Sequence, residues 1–152
     1  MRAQAEFHID REGAWYYRGT RVERDAMVRM FAAMLRRRGP DYFLETPEQK
    51  VRVSVDDAPF VLTDVESRVD EGVARIWMST SLGERFLLGR EHPLYLRASD
   101  SGDEVRAYVL TRDGIPALIH RNVFYRLAES VTVDADSGKA GVWSDGLFFP
   151  LE

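Results

Sequence analysis

The chain has 152 residues, 45% of them hydrophobic and 17 aromatic (8 Phe, 6 Tyr, 3 Trp), enough apolar material for a packed core and too much for intrinsic disorder. It has no cysteine, which excludes disulfides, thiolate metal centres and cysteine nucleophiles, and no apolar run of the ~18–20 residues a membrane helix needs. The net charge of −4 disfavours a polyanionic partner, since binding to DNA or RNA draws on phosphate neutralisation.

The chain opens as a predicted hairpin, Glu6–Ile9 and Trp15–Arg18 around Asp10-Arg11-Glu12-Gly13. A helix follows, in which Met27, Met30, Phe31, Met34 and Leu35 form one apolar stripe of helical spacing. Asp25 suits its start, Arg36-Arg37-Arg38 its last turn, and Gly39-Pro40 its stop. Val51, Val53 and Val55 alternate with Arg52 and Ser54 as in a half-buried strand. Further strands are expected near 60–66, 73–79, 84–88, 94–97 and 104–111, separated by Asp70-Glu71-Gly72, Leu82-Gly83, Ser99-Asp100-Ser101-Gly102 and Arg112-Asp113-Gly114. This spacing reads as an antiparallel meander. A short helix over about 122–130, with Asn122 as N-cap, and two short strands at the C-terminal end complete an α+β layout.

The layout suggests a duplication. Arg24…Arg29-Met30 and Arg121…Arg126-Leu127 share a five-residue Arg spacing at a helix entrance, and Tyr42-Phe43-Leu44 corresponds loosely to Leu147-Phe148-Phe149. The division expected is residues 1–58, a half with the long helix, and 59–152, a half with the meander and the short helix.

The 21 basic residues are 19 Arg and 2 Lys. The first fifty residues hold 10 bases and 8 acids, the remainder 11 bases and 17 acids, a mild asymmetry that points to an anion-friendly patch in the first third. Arg24 and Arg121 stand at predicted helix entrances, where free N–H groups favour anions and a guanidinium adds a bidentate fork. A structural bridge to the acidic strands is the alternative for both. Trp15 and Trp143 suit either stacking on a planar ligand or core packing. Arg36–Arg38 suit an acidic partner or a solvated helix end. P-loop, Gly-x-Ser-x-Gly and Ser-x-x-Lys motifs do not occur. The three histidines (His8, His92, His120) lie in different segments, so no local metal motif forms and none is expected, and Asp134-Ala-Asp136 lacks the rest of a calcium loop. Asp56-Asp57 reads as a strand exit entering a turn, because neighbours on a strand face opposite sides.

Several segments in order resemble the bacterial domain-of-unknown-function family 1285. They are Gly13-x-Trp15 with Gly19; Arg24 leading into Met27–Phe31; Thr46-Pro47 with Lys50; Val55–Phe60; His92-Pro93-Leu94; Arg112-Asp113-Gly114 with Ala117-Leu118; Arg121 to Leu127; and Val142-Trp143-Ser144-x-Gly146-x-Phe148-Phe149. The resemblance implies two similar small halves of antiparallel strands on one helix, the C-terminal half being like pleckstrin-homology folds, and a groove for a nucleotide-like ligand with a signalling role. It implies no catalytic activity and no cofactor. The expected function is therefore a cytoplasmic module that binds a small anionic, nucleotide-like ligand in a regulatory role. Arg24, Arg121 and Lys50 would meet the anion beside Thr46, and Trp15, Tyr125 or Trp143 would supply the flat wall. No nucleic-acid polymer or membrane is expected as partner. The alternatives are a scaffold that docks a protein partner through a sheet edge or Arg36–Arg38, and a hydrolase using Asp57, Glu48 or His92.

Overall fold

The computed structural model describes residues 5–99 and 101–152, and the chain divides into two compact units. The first runs to Pro59 and includes Asp113–Ile115; the second comprises Phe60–Arg112 and Pro116–Glu152. Residues 1–4 and Asp100 of the predicted Ser99–Gly102 turn lie outside the described residues.

In the first unit, β1 (Phe7–Ile9), β2 (Trp15–Tyr17) and β3 (Thr20–Arg21) precede α1 (Asp25–Met34), and β4 (Leu35–Arg38), β5 (Asp41–Glu45) and β6 (Lys50–Val55) follow it. The sheet order is β3-β2-β1-β6-β5-β4, antiparallel except for the parallel pairing of β1 with β6. The predicted opening hairpin forms. Asp10 closes it, its Oδ1 accepting the amides of Glu12 (3.0 Å) and Ala14 (2.9 Å), while Gly13 supplies a left-handed φ of 83°.

The long helix differs from expectation at two points. It ends at Met34, with Leu35 extended (φ −70°, ψ 133°), so Arg36–Arg38 belong to a strand and not to a last helical turn. Gly39-Pro40 is a two-residue hairpin loop, with Gly39 at φ 60°, which turns the chain back into β5. Strand pairing wins because Leu35 is buried opposite Leu44 and β5 offers Glu45, which accepts Arg38 at 3.0 Å. The buried stripe of α1 is also rotated from the predicted one. Val28, Phe31, Ala32 and Leu35 turn inward, while Met27 and Met30 are exposed. Phe31 sets this rotation: its ring stacks on Trp15 (6.0 Å) and meets Phe7 edge-on (5.1 Å).

In the second unit, β7 (Phe60–Asp70), β8 (Val73–Thr80), β9 (Arg85–Leu87), β10 (Leu94–Ala98) and β11 (Val105–Leu110) lie close to the expected strands, while β12 (Pro116–Ile119) is a strand that was not expected. Their sheet order is β10-β11-β12-β7-β8-β9, again antiparallel except for one parallel pair, β12 with β7. Adding six to every strand number of the first sheet reproduces the second. The chain is thus α+β with an internal duplication of a six-stranded mixed sheet, each accompanied by one helix. A purely antiparallel meander is corrected: in each sheet the first and sixth strands pair in parallel and join two three-stranded meanders.

The proposed correspondence of Arg24 with Arg121 is corrected as well. α1 connects the third and fourth strands of its sheet, whereas α2 (Arg121–Ala128) follows the sixth strand of its own. The helices are not equivalent in the repeat, and neither are β5 and the C-terminal strand that holds Phe148-Phe149. The α2 N-cap is His120, not Asn122: His120 Nδ1 accepts the Asn122 amide at 3.2 Å.

A third sheet, β13 (Thr132–Val133), β14 (Ala140–Ser144) and β15 (Leu147–Pro150), completes the second unit. The fully buried Ser144 ties β14 to β8. Its Oγ accepts the Ile76 amide (2.9 Å) and donates to the Leu88 carbonyl (2.6 Å). Gly141 is obligatory for space, since a Cβ there would collide with the Phe149 carbonyl and the Phe148 ring.

Candidate functional site

The two faces of the first unit's sheet differ. Ile9, Trp15, Leu35, Leu44 and Val53 are buried on the side α1 covers. The alternation of a pleated strand then sends His8, Asp10, Tyr16, Arg52 and Ser54 to the other side. Cross-strand register aligns Tyr16 opposite His8 in β2, and the parallel β1–β6 pairing places Ser54 beside His8. A cavity of about 280 Å³ opens on this face, lined by Ala5, Glu6, His8, Asp10, Tyr16 and Gly19.

The polar groups here are locked to one another. His8 Nδ1 lies 2.7 Å from Ser54 Oγ, and Nε2 lies 3.1 Å from Asp56 Oδ2. Ser54 Oγ is also 3.3 Å from the Phe7 carbonyl. Tyr16 donates its hydroxyl proton to Asp10 Oδ2 at 3.0 Å. That hydrogen bond, reinforced by the Asp10 charge, pushes the Tyr16 phenol above its ordinary value, so it remains a protonated donor. Arg18 meets Glu6 at 3.2 Å at the same rim. Among the described residues, no group of three or more His, Asp or Glu side chains could hold a metal ion.

Comparison with known proteins places the chain. Residues 1–58 match the model described as "Domain of unknown function (DUF1285), N-terminal domain", and residues 59–151 match "Protein of unknown function (DUF1285), C-terminal domain". The chain belongs to the DUF1285 family. Two crystal structures of DUF1285 proteins share the fold. The one from Silicibacter pomeroyi DSS-3 is 38% identical, with a TM-score of 0.90 over 97% of this chain and 80% of that one. The one from Shewanella baltica OS155 is 28% identical, with a TM-score of 0.65 over 82% of this chain and 91% of that one. No curated protein matches. The boundary between the two DUF1285 models, after residue 58, falls next to the exit of the first unit at Pro59.

The residues expected to bind a ligand scatter within the two DUF1285 units. Trp15 is corrected: it is 1% exposed and stacked on Phe31, so it is a core residue and offers no wall. Arg24 is the exposed N-cap of α1, but its side chain makes no capping hydrogen bond. Thr46 and Lys50 share the β5–β6 hairpin. Thr46 Oγ1 accepts the Gln49 amide (3.1 Å) and shapes the turn, and Lys50 Nζ sits 4.3 Å over the Phe43 ring. In the second unit, Arg121 and Tyr125 are exposed one turn apart on α2, on one face of that helix. Trp143 is 44% exposed and tilted on Phe148 at 5.3 Å.

Two alternatives also meet the structure. The helix end expected to carry Arg36–Arg38 is absent, because these residues form β4, where Arg37 and Arg38 are exposed and all three guanidinium groups bond to the protein's own acceptors. Arg36 donates to the Leu35 carbonyl (2.8 Å), Arg37 to that of Gly114 (2.8 Å), and Arg38 to Glu45. For the hydrolase built on Asp57, Glu48 and His92, the His92 Nδ1 is engaged with the Leu110 carbonyl at 3.0 Å and its ring packs edge-on against Phe86 at 5.0 Å.

In the sequence His8 stands as an isolated histidine and Asp56 as a strand exit, and nothing local marks Tyr16 or Ser54. His8 and Ser54 are 46 residues apart and meet only through the parallel pairing. The available signal was the alternation itself: His8 on one strand with Asp10 just past its end, and Arg52 and Ser54 on another, all on a polar side.

Proposed function

We propose that this chain is a bacterial, cytoplasmic small-molecule-binding module with a regulatory role, and that its ligand enters the first unit's cavity at His8 and Tyr16. The carrying observation is that cavity of about 280 Å³, a concave surface with a few oriented polar groups on a rigid sheet. Both the phenol of Tyr16 and the imidazole of His8 are held by neighbouring carboxylates, so they are oriented before any ligand arrives. Glu6 and Asp10 on the lining disfavour a phosphate there and favour a neutral ligand rich in hydroxyl or N–H groups.

A second reading keeps the nucleotide-like anion and moves it to α2. Arg121 and Tyr125, exposed on one face, would offer a guanidinium to the anion and a ring to the base.

The test is a thermal-shift and calorimetry panel of polyols, sugars, amino acids and nucleotides on the whole chain. A compound at one hundred times its Kd adds about 2.7 kcal/mol of stability. Loss of that gain in Tyr16→Phe and His8→Ala supports the cavity; loss in Arg121→Ala and Tyr125→Ala supports the helix reading. If no compound stabilises the chain, both readings are wrong.

A further inference from the structure

We propose that Ser54 is a nucleophile, with His8 as its general base and Asp56 as the positioning residue, and that the site accepts small activated acyl esters. This rests on the reading that a small molecule reaches the cavity at His8 and goes beyond it by assigning chemistry to that site. The geometry is a hydrogen-bonded chain of serine, histidine and aspartate, with Oγ to Nδ1 at 2.7 Å and Nε2 to Oδ2 at 3.1 Å. Such an arrangement is recognised by geometry and roles, not by order along the chain.

The carboxylate sets the direction of the chain. Ionised Asp56 only accepts, so Nε2 of neutral His8 must carry the ring proton. Nδ1 is then a bare lone pair aimed at Ser54 Oγ, and the short separation is filled by the serine proton. When His8 gains a proton, Nδ1 donates to Oγ instead, and the hydroxyl turns to the Phe7 carbonyl at 3.3 Å. Both imidazole nitrogens and the serine oxygen keep a partner in both states, which is what a base must satisfy before and after it takes a proton. His8 also lines the cavity, with 17% of its side chain exposed, so the proton relay adjoins space a substrate can occupy.

In the reaction, Ser54 Oγ attacks the ester carbonyl carbon as its proton passes to His8 Nδ1. The carbon–alkoxide bond then breaks, and the alkoxide leaves as an alcohol with the proton from Nδ1. Water attacks the acyl-serine, giving its proton to Nδ1. The Oγ–acyl bond breaks, a carboxylic acid departs, and the proton returns to Ser54. Asp56 stays ionised throughout and stabilises the imidazolium.

The experiment uses a fluorophosphonate probe, which forms a serine–phosphorus bond with loss of fluoride, and p-nitrophenyl acetate as substrate, both on the full chain. Intact-mass and peptide analysis should find one adduct on Ser54, abolished in Ser54→Ala. Asp56→Asn can present an amide donor to Nε2 and reverse the ring's tautomer. It should lower both labelling rate and kcat by about 100-fold or more, with KM and the unfolding midpoint unchanged. An adduct elsewhere that survives Ser54→Ala, no adduct at all, or an Asp56→Asn rate equal to the parent's would each overturn the assignment. Ester binding that perturbs His8 by NMR without any adduct overturns the nucleophile and leaves the binding site standing; no binding and no adduct overturns both.

Discussion

The two units solve one topological problem with different covers. Both arrange six strands in the same order, with one parallel pair at the centre. The first covers its apolar face with the helix inserted between its third and fourth strands, anchored by Phe31 on Trp15. The second leaves that connection short, from Leu88 to Pro93. It uses elements added after its sixth strand instead: α2 packs on β7, and β14 packs on β8. The repeated part is therefore the sheet, whose register long-range backbone pairing fixes, while the cover is free to come from whichever connection supplies an apolar stripe.

This contrast can be broken by mutation. Trp15→Ala should cost the most, about 3–5 kcal/mol, because it empties the space beneath α1. Hydrogen exchange should show the loss concentrated in β1–β6; equal loosening of β7–β12 would mean that the covers are not local. Ser144→Ala comes next, at about 2–3 kcal/mol, since it leaves the Ile76 amide and the Leu88 carbonyl without a partner in a buried site. Its exchange signature should fall on β8 and β14, and denaturant unfolding gives the magnitude. Gly141→Ala should cost about 2 kcal/mol by driving a methyl into the β15 backbone and the Phe148 ring. Restoration in the double variant with Phe148→Ala should be partial, because the carbonyl clash stays.

The smallest effects are pH-dependent and of opposite sign in the two units. Arg126 braces α2 to β7 through Asp64 (2.8 Å) and the Val65 carbonyl (2.7 Å), and the Arg126 hydrogen bond holds the Asp64 carboxyl below its ordinary value. Because the folded value is depressed, this contribution is present above the unfolded value and lost as pH falls through the folded one. Arg126→Met should therefore flatten the acid limb of the stability profile. Tyr16 behaves in the opposite way. Its folded value is raised, chiefly by the hydrogen bond to Asp10, so its contribution is present below the unfolded value and lost as pH rises through the folded one. Tyr16→Phe should flatten the alkaline limb.

Local signals carried most of the element list. Turn pairs such as Glu71-Gly72, with φ of 50° and 80°, demand a hairpin wherever they occur, and alternating valines at 51, 53 and 55 demand a strand. Arg36–Arg38 misled because a basic run suits a helix end as well as a strand, and only pairing with β5 decides between them. Trp15 misled because a tryptophan suits a core as well as a ligand wall until its neighbour Phe31 is in place.

What the sequence determined by itself is the α+β class, most of the strand positions and the family, since these depend on periodicity, turn chemistry and the order of short motifs along the chain. The tertiary structure alone decided that the repeat lies in the sheets and not in the helices, and that His8, Ser54 and Asp56 form one chain of hydrogen bonds. The physical reason is the parallel pairing of β1 with β6. It joins residues 46 positions apart through backbone hydrogen bonds, to which side-chain patterns along either strand are blind.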